Sequence, residues 1–190
     1  MKIPLICSLV LITTVCTPLC AEDVNILEEG DFETTENGMP AGFIWQGFAG
    51  DASVTPNRFA LVTEDSQFVR MTVPPDTGKQ VASVKVAEPI PASKEWVALH
   101  ISLKLRLRDY VQGGEPWHGV KVFVEFLDAE GKLLGVMVPA ISLKEDTADW
   151  TSFDKEVEIP AGTESFTLSA GIIGSSGEVD IDDLAIVPVQ

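Results

Sequence analysis

The chain has 190 residues, 29 of them Asp or Glu against 13 Lys or Arg, for a formal net charge of −16. Such a field disfavours nucleic acid and anionic membrane surfaces, both of which reward clustered Lys and Arg. One domain of this length buries enough apolar surface to be stable alone.

Met1-Lys2 leads into an apolar run from Ile3 to Val15, followed by Cys16-Thr17-Pro18-Leu19-Cys20-Ala21. Charged, apolar and small segments in that order predict a secretory signal peptide over 1–21, cleaved after Ala21. Cys7, Cys16 and Cys20 are the chain's three cysteines and all lie inside it, so the remaining domain, 22–190, is expected to fold without disulfides. The expected location is secreted or periplasmic, with no membrane attachment after cleavage. Leu19 stands where a lipidation signal needs a small residue, which argues against a lipoprotein.

Beyond the leader, period-two alternation dominates and no helical period is sustained. Strands are predicted over 43–48, 59–63, 68–73, 81–87, 96–108, 120–127, 132–138, 151–159, 165–172 and 178–187. In the longest, Val97, Leu99, Ile101, Leu103, Leu105 and Leu107 share one face, while Trp96, His100, Lys104 and Arg106 share the other. In the next, Val120, Val122, Val124 and Phe126 point inward, while Lys121, Phe123, Glu125 and Leu127 point out. One dry and one wet face is the pattern of an antiparallel sheet. Many short strands separated by turns, such as Pro74-Pro75-Asp76 and Gly174-Ser175-Ser176-Gly177, predict an all-β sandwich. Ile-Pro-Ala-x-x-Glu occurs at 90–95 and again at 159–164, read here as a reused turn between strands.

The segments 49–57 and 110–119 are the least strand-like internal stretches, and loops of this kind carry binding chemistry on rigid sandwiches. In the second, Gly113-Gly114-Glu115-Pro116-Trp117-His118-Gly119 favours exposure of Trp117. Sugars are held by aromatic faces and by planar polar groups that pair with hydroxyls. Trp117 is therefore the first candidate for a stacking platform, with Tyr110 and Trp96 as secondary platforms along the same edge. His118 in the same loop, and Arg106 and Glu125 on the wet faces, are the candidate polar partners. Cross-strand ion pairing is the competing role for these charged residues. Trp45 and Trp150 are read as packing residues.

The acidic run Glu178-Val179-Asp180-Ile181-Asp182-Asp183-Leu184 places Glu178, Asp180 and Asp182 on one face. Val179 and Ile181 share one parity while Leu184 and Ile186 share the other, so a β-bulge is expected at Asp182-Asp183. No zinc site is visible, since the chain beyond the leader holds only His100 and His118 and no cysteine.

Two end segments, Asn25-Ile26-Leu27-Glu28-Glu29-Gly30-Asp31-Phe32-Glu33 and the run 177–186, together with Trp150-Thr151-Ser152-Phe153 and Ile159-Pro160-Ala161-Gly162, resemble those of cellulose- and xylan-binding carbohydrate-binding modules. These are galactose-binding-domain-like jelly rolls. The resemblance implies a β-sandwich jelly roll that binds a polysaccharide or other glycan without catalysis. It also implies a structural calcium ion held by Glu33 and Asp182, with Asp31 and Asp183 as near neighbours. The acidic run is similar as well to the Glu-x-Asp-x-x-Glu strand of laminarinase-type glycosidases. That likeness would make Glu178 the nucleophile, Asp180 its support and Asp182 or Asp183 the acid/base, but the last carboxylate is one methylene short. Retaining chemistry is sensitive to that change because its carboxyl groups sit about 5–5.5 Å apart. The reading from sequence is a secreted non-catalytic carbohydrate-binding domain. Its rivals are an extracellular adhesion or scaffold domain and a small jelly-roll glycosidase, and the oligomeric state is open.

Overall fold

The computed structural model describes residues 24–47, 58–75 and 81–190. The leader assignment and the loop assignment at 49–57 lie outside them. Among the described residues there are thirteen strands and no α-helix. In chain order they are β1 (Thr35–Glu36), β2 (Met39–Pro40), β3 (Phe43–Gln46), β4 (Phe59–Thr63), β5 (Gln67–Val73), β6 (Val81–Val86) and β7 (Ile90–Pro91). Then follow β8 (Ala98–Val111), β9 (Gly119–Leu127), β10 (Val138–Leu143), β11 (Thr151–Glu158), β12 (Ser165–Ile173) and β13 (Ser176–Val189).

They form two antiparallel sheets beside the small β1-β2 hairpin. One sheet has the order β10-β9-β12-β6-β3, with β7 paired to the end of β12; the other has the order β11-β8-β13-β5-β4. The architecture is the predicted all-β jelly-roll sandwich. Its core follows from the alternation: Leu99, Ile101, Leu103, Leu105 and Leu107 of β8 meet Val120, Val122, Val124 and Phe126 of β9 in one continuous buried cluster. Each fully buried aliphatic or aromatic side chain of this kind contributes about 1.5–3 kcal/mol of transfer free energy.

The two ends of the described chain meet. The Ile26 N–H donates to Ile186 O at 2.9 Å, and the Leu184 N–H donates to Gly30 O at 2.8 Å. A Cβ on Gly30 would stand 1.8 Å from Leu184 O, so this approach admits only glycine. The bulge lies where the parity switch places it: the β13–β8 register shifts between Asp182 and Ala185, and Asp183 adopts φ 49°. The extra residue keeps Val179 and Ile181 on the core side and brings Leu184 and Ile186 there too.

Three expectations need correction. The strand predicted over 132–138 begins only at Val138. Asp128 turns the chain by accepting the Glu130 and Lys132 N–H groups, and after an isolated Leu127–Leu133 bridge Gly135 takes φ 77°. Val97 precedes its strand and is 60% exposed instead of joining the inner face. Strand β8 continues three residues past Arg108, so Tyr110 and Val111 belong to the sheet.

Candidate functional site

Register fixes which candidates share an end of the sandwich. The Gly119–Ile173 pair of β9 and β12 and the Val111–Ser176 pair of β8 and β13 mark one end. The Leu127–Ser165 and Ala98–Val189 pairs mark the other. Trp117, His118 and Tyr110 lie at the first end. Trp96 lies at the second, packed on the core beside the two similar turns, where the Ala92 N–H donates to Glu164 O. At about 3.3 Å per residue, fourteen residues separate Trp96 from Tyr110 by on the order of 45 Å. Trp96 therefore does not extend the edge that carries Trp117. Trp96 and Tyr110 stand at the two ends of one and the same strand, so its length alone separates them.

The Trp117 loop is built around a buried histidine. His118 is 3% exposed, and its Nδ1 accepts the Glu115 N–H at 3.3 Å. Glycines make its slot: a Cβ on Gly174 would lie 2.3 Å from the imidazole, and one on Gly113 would lie 2.2 Å from Nδ1. Gln112 donates from Nε2 to Glu115 O and His118 O, closing the loop on itself. The Ser175 hydroxyl accepts the Gly113 N–H at 3.1 Å and lies 3.2 Å from the Tyr110 hydroxyl, which donates to Gln112 Oε1 at 2.7 Å. Lys144 donates to Pro116 O. Trp117 stands edge-on to His118, with centroids 4.2 Å apart, and remains 55% exposed. His118 Nε2 is buried without a hydrogen-bond partner among the described residues. A half-exposed indole thus sits on a fixed base, in a loop that the Tyr110, Ser175 and Gln112 polar groups hold together. Ser175, in a turn, and Gln112, just past the end of β8, carry no sequence pattern that marks them.

Arg106 and Glu125 lie on opposite outer faces. Glu125 pairs with Lys85 at 2.6 Å on the β9-β12-β6 sheet. Arg106 belongs to a network on the β8-β13-β5 sheet, centred on Asp180, which is fully buried. The Arg70 Nε donates to Asp180 Oδ1 at 2.6 Å, while Arg106 Nε at 2.9 Å and Arg108 NH2 at 2.8 Å donate to Oδ2. Glu178 accepts from Arg108, and Glu64 accepts from Arg106 at 3.2 Å. The bond to Asp180 holds the Arg70 pKa above its usual value; for Arg106, burial works the other way and is outweighed by the bonds to Asp180 and Glu64. The Arg106 guanidinium also lies 4.7 Å from the Trp150 ring centroid, and Trp150 meets the buried Phe68 edge-on at 5.1 Å. Trp150 is a packing residue, as is Trp45, which stacks on Phe59 at 4.7 Å.

Of the four carboxylates expected to hold calcium, Asp182 and Glu33 meet at one turn. Asp182 Oδ2 accepts the Ser66 hydroxyl at 2.7 Å, and Glu33 Oε1 accepts the N–H of the next residue, Gln67, at 2.8 Å. Asp31 accepts the Glu33 N–H, and Asp183 pairs with Lys104 at 2.6 Å. Burial raises the Asp182 pKa, although the bonds from Ser66 and the Asp183 N–H oppose it. Among the described residues no three His, Cys, Asp or Glu side chains converge on one point. An ion between Glu33 and Asp182 would therefore draw further oxygens from backbone carbonyls. Carboxylate and carbonyl oxygens are the donor set calcium accepts.

Two antiparallel sheets closed over one core give this chain the jelly-roll fold that carbohydrate-binding modules share. Among solved structures, the first xylan-binding domain of Paenibacillus barcinonensis Xyn10C, a family 22 module, is similar with a TM-score of 0.51 at 14% identity, over 85% of this chain and 92% of that one. The family 11 module of the Clostridium thermocellum cellulosomal cellulase Lic26A-Cel5E is similar with a TM-score of 0.50 at 12% identity, over 84% of this chain and 92% of that one. The enzymatically active domain of bacteriophage CBA120 tailspike protein 4 is similar with a TM-score of 0.59 at 12% identity, over 87% of this chain. This chain spans only 21% of that tailspike chain. No family model matches the sequence, and no curated protein matches it.

Proposed function

We propose that the chain is an exported, non-catalytic carbohydrate-binding domain that holds a β-linked plant or algal polysaccharide at its Trp117 end. The observation that carries this reading is a 55% exposed tryptophan seated on a buried, glycine-walled histidine, with hydroxyl and amide groups beside it. Stacking a sugar on one such ring is worth about 0.5–1.5 kcal/mol beyond area burial, on the scale of an aromatic pair. Binding is therefore modest. The xylan-binding and cellulase-associated modules that share the fold support the ligand class.

Absence of catalysis is supported by the state of the acidic strand. Glu178, the nucleophile of the glycosidase reading, is ion-paired with Arg108, and Asp180, its support, is taken up by three guanidinium groups, which leaves no free nucleophile there. The calcium at Glu33 and Asp182 is assigned a structural role, joining the first segment to the last strand. A protein-binding role is the second reading. It is favoured by Leu133, Val136 and Met137, which are 36%, 76% and 45% exposed on the β9–β10 connection at the end away from Trp117. A glycan array probed with the exported domain, with and without calcium, separates the two. Retention by β-linked glycans supports the first reading; a blank array argues for the second.

A further inference from the structure

Lys121 is out of keeping with the rest of this surface. It projects from β9 on the outer face of its sheet, yet it is only 8% exposed. Its ammonium donates to the Ser142 hydroxyl, and no carboxylate among the described residues pairs with it. A buried ammonium is costly unless a counter-charge neutralises it. Elsewhere the buried or half-buried cations are neutralised: Lys85 has Glu125, and Arg70 and Arg106 have Asp180. Even a chain with 29 acidic residues has placed none of its described carboxylates against this one.

A second lysine stands nearby instead. Burial, and after it repulsion by Lys144, depresses the Lys121 pKa below the usual lysine value. The Lys144 stem crosses the chain at Gly119, where an added Cβ would lie 3.6 Å from its Cγ, and its ammonium reaches Pro116 O, next to Trp117. The cross-strand partner of Lys121 on β12 is Gly171, which offers no side chain to cover it, and beyond Gly171 stands Ser83. An open hollow of about 550 Å³ begins at Ser142 and Lys144 and runs to Thr147 and Phe153. Glu145 and Asp146 also line it, but Asp146 is engaged by the Tyr110 N–H at 2.8 Å and neither pairs with a lysine. Lys144 thus reaches the tryptophan loop without an ion-pair partner, and Lys121 stands behind it at Ser142, where the hollow begins.

We infer that Lys121 and Lys144 form an anion subsite beside Trp117, so that the ligand is an acidic glycan carrying uronate carboxylates or sulfate esters. This rests on the glycan-binding reading above and narrows it. An ammonium that keeps donors unsatisfied is a point-charge partner for either anion. The net charge of the domain repels polyanions at long range, but that field is screened beyond about 8 Å at physiological salt, while the buried Lys121 is screened much less.

The test compares gels cast with β-linked polymannuronate, with cellulose sulfate and with neutral β-glucan, using the exported domain, Lys121→Met and Lys144→Gln. Met keeps the aliphatic stem of Lys121, and Lys144 is exposed, so at least the second variant folds as the parent does. Retention on one acidic gel, reduced roughly tenfold by each variant, while Lys121→Met leaves retention on neutral gel unchanged, supports the subsite; tenfold is the scale of one charge-assisted hydrogen bond. The gel affected tells carboxylate from sulfate. Equal retention on neutral and acidic gels, untouched by either variant, overturns the inference and leaves the glycan-binding reading standing. If no gel retains the protein, that broader reading fails, and the subsite is decided by titrating sodium sulfate and sodium galacturonate against the lysine NMR signals. A saturable shift missing from Lys121→Met supports it, and no shift overturns it.

Discussion

Replacing Asp180 by alanine removes the one carboxylate on which Arg70, Arg106 and Arg108 converge. Asp180 is fully buried, while the three arginine side chains keep 24%, 13% and 38% of their exposure. Breaking a buried ion pair by deleting one partner costs about 3–5 kcal/mol, because the remaining charge is left uncompensated. Here the arginines reach solvent in part and retain Glu178 and Glu64, so screening moves the expectation to the low end, about 3 kcal/mol. For a domain of this size that lowers Tm by roughly 6–12 °C. Urea unfolding followed by tryptophan fluorescence measures it, with Trp150 reporting directly, since Arg106 lies over its ring. Asp180→Asn should lose somewhat less, because the amide oxygen still accepts one guanidinium. A loss below about 1 kcal/mol would mean that the network is a surface ornament and that β13 is held by its apolar side chains alone.

Other outcomes follow from the same geometry. The Lys121 pKa is lowered in the fold, so between that value and the usual 10.5 the unfolded chain binds more protons and stability rises with pH. Lys121→Met should therefore be more stable than the parent at neutral pH, with the gap closing in alkaline urea titrations; a gap that widens refutes the desolvation argument. For calcium at Glu33 and Asp182, a hundredfold excess of free ion over its dissociation constant stabilises by about 2.7 kcal/mol. Chelation should lower Tm, and Asp182→Ala should abolish that response; an unchanged Tm in metal-loaded protein removes the ion from the account. Intact-mass analysis of exported protein should show a chain beginning at Glu22, and a retained Met1-Lys2 overturns the leader assignment.

The sandwich was legible because its signals are local. Alternation in 96–108 and 120–127 names both halves of the core, and the change of parity between Ile181 and Leu184 locates the bulge. What could not be read depends on residues far apart in the chain. Lys121 has the parity of a wet position, and only the tertiary structure shelters it. Phe68 likewise points away from the core yet is buried, since Trp150, Arg70 and Arg106 cover it. His118 looked like a polar partner for a ligand; it proves to be the pedestal of Trp117, because Gly113 and Gly174, sixty-one positions apart, leave room for its ring. Arg106 and Glu125 were grouped by their charge and wet-face positions, but β8 and β9 lie in different sheets. Arg106 makes the cross-strand pair with Asp180 that charge patterning anticipates, whereas Glu125 reaches Lys85 over the intervening β12.

The most direct measurement is retention of the exported domain and of Trp117→Ala in affinity gels of β-linked polysaccharide, with Tm recorded for both. Trp117 is 55% exposed and its main ring contact is with His118, so the account predicts that the substitution weakens retention several-fold and leaves Tm nearly unchanged. Retention equal to the parent's, or unfolding of the variant, would contradict a binding platform at this end of the sandwich.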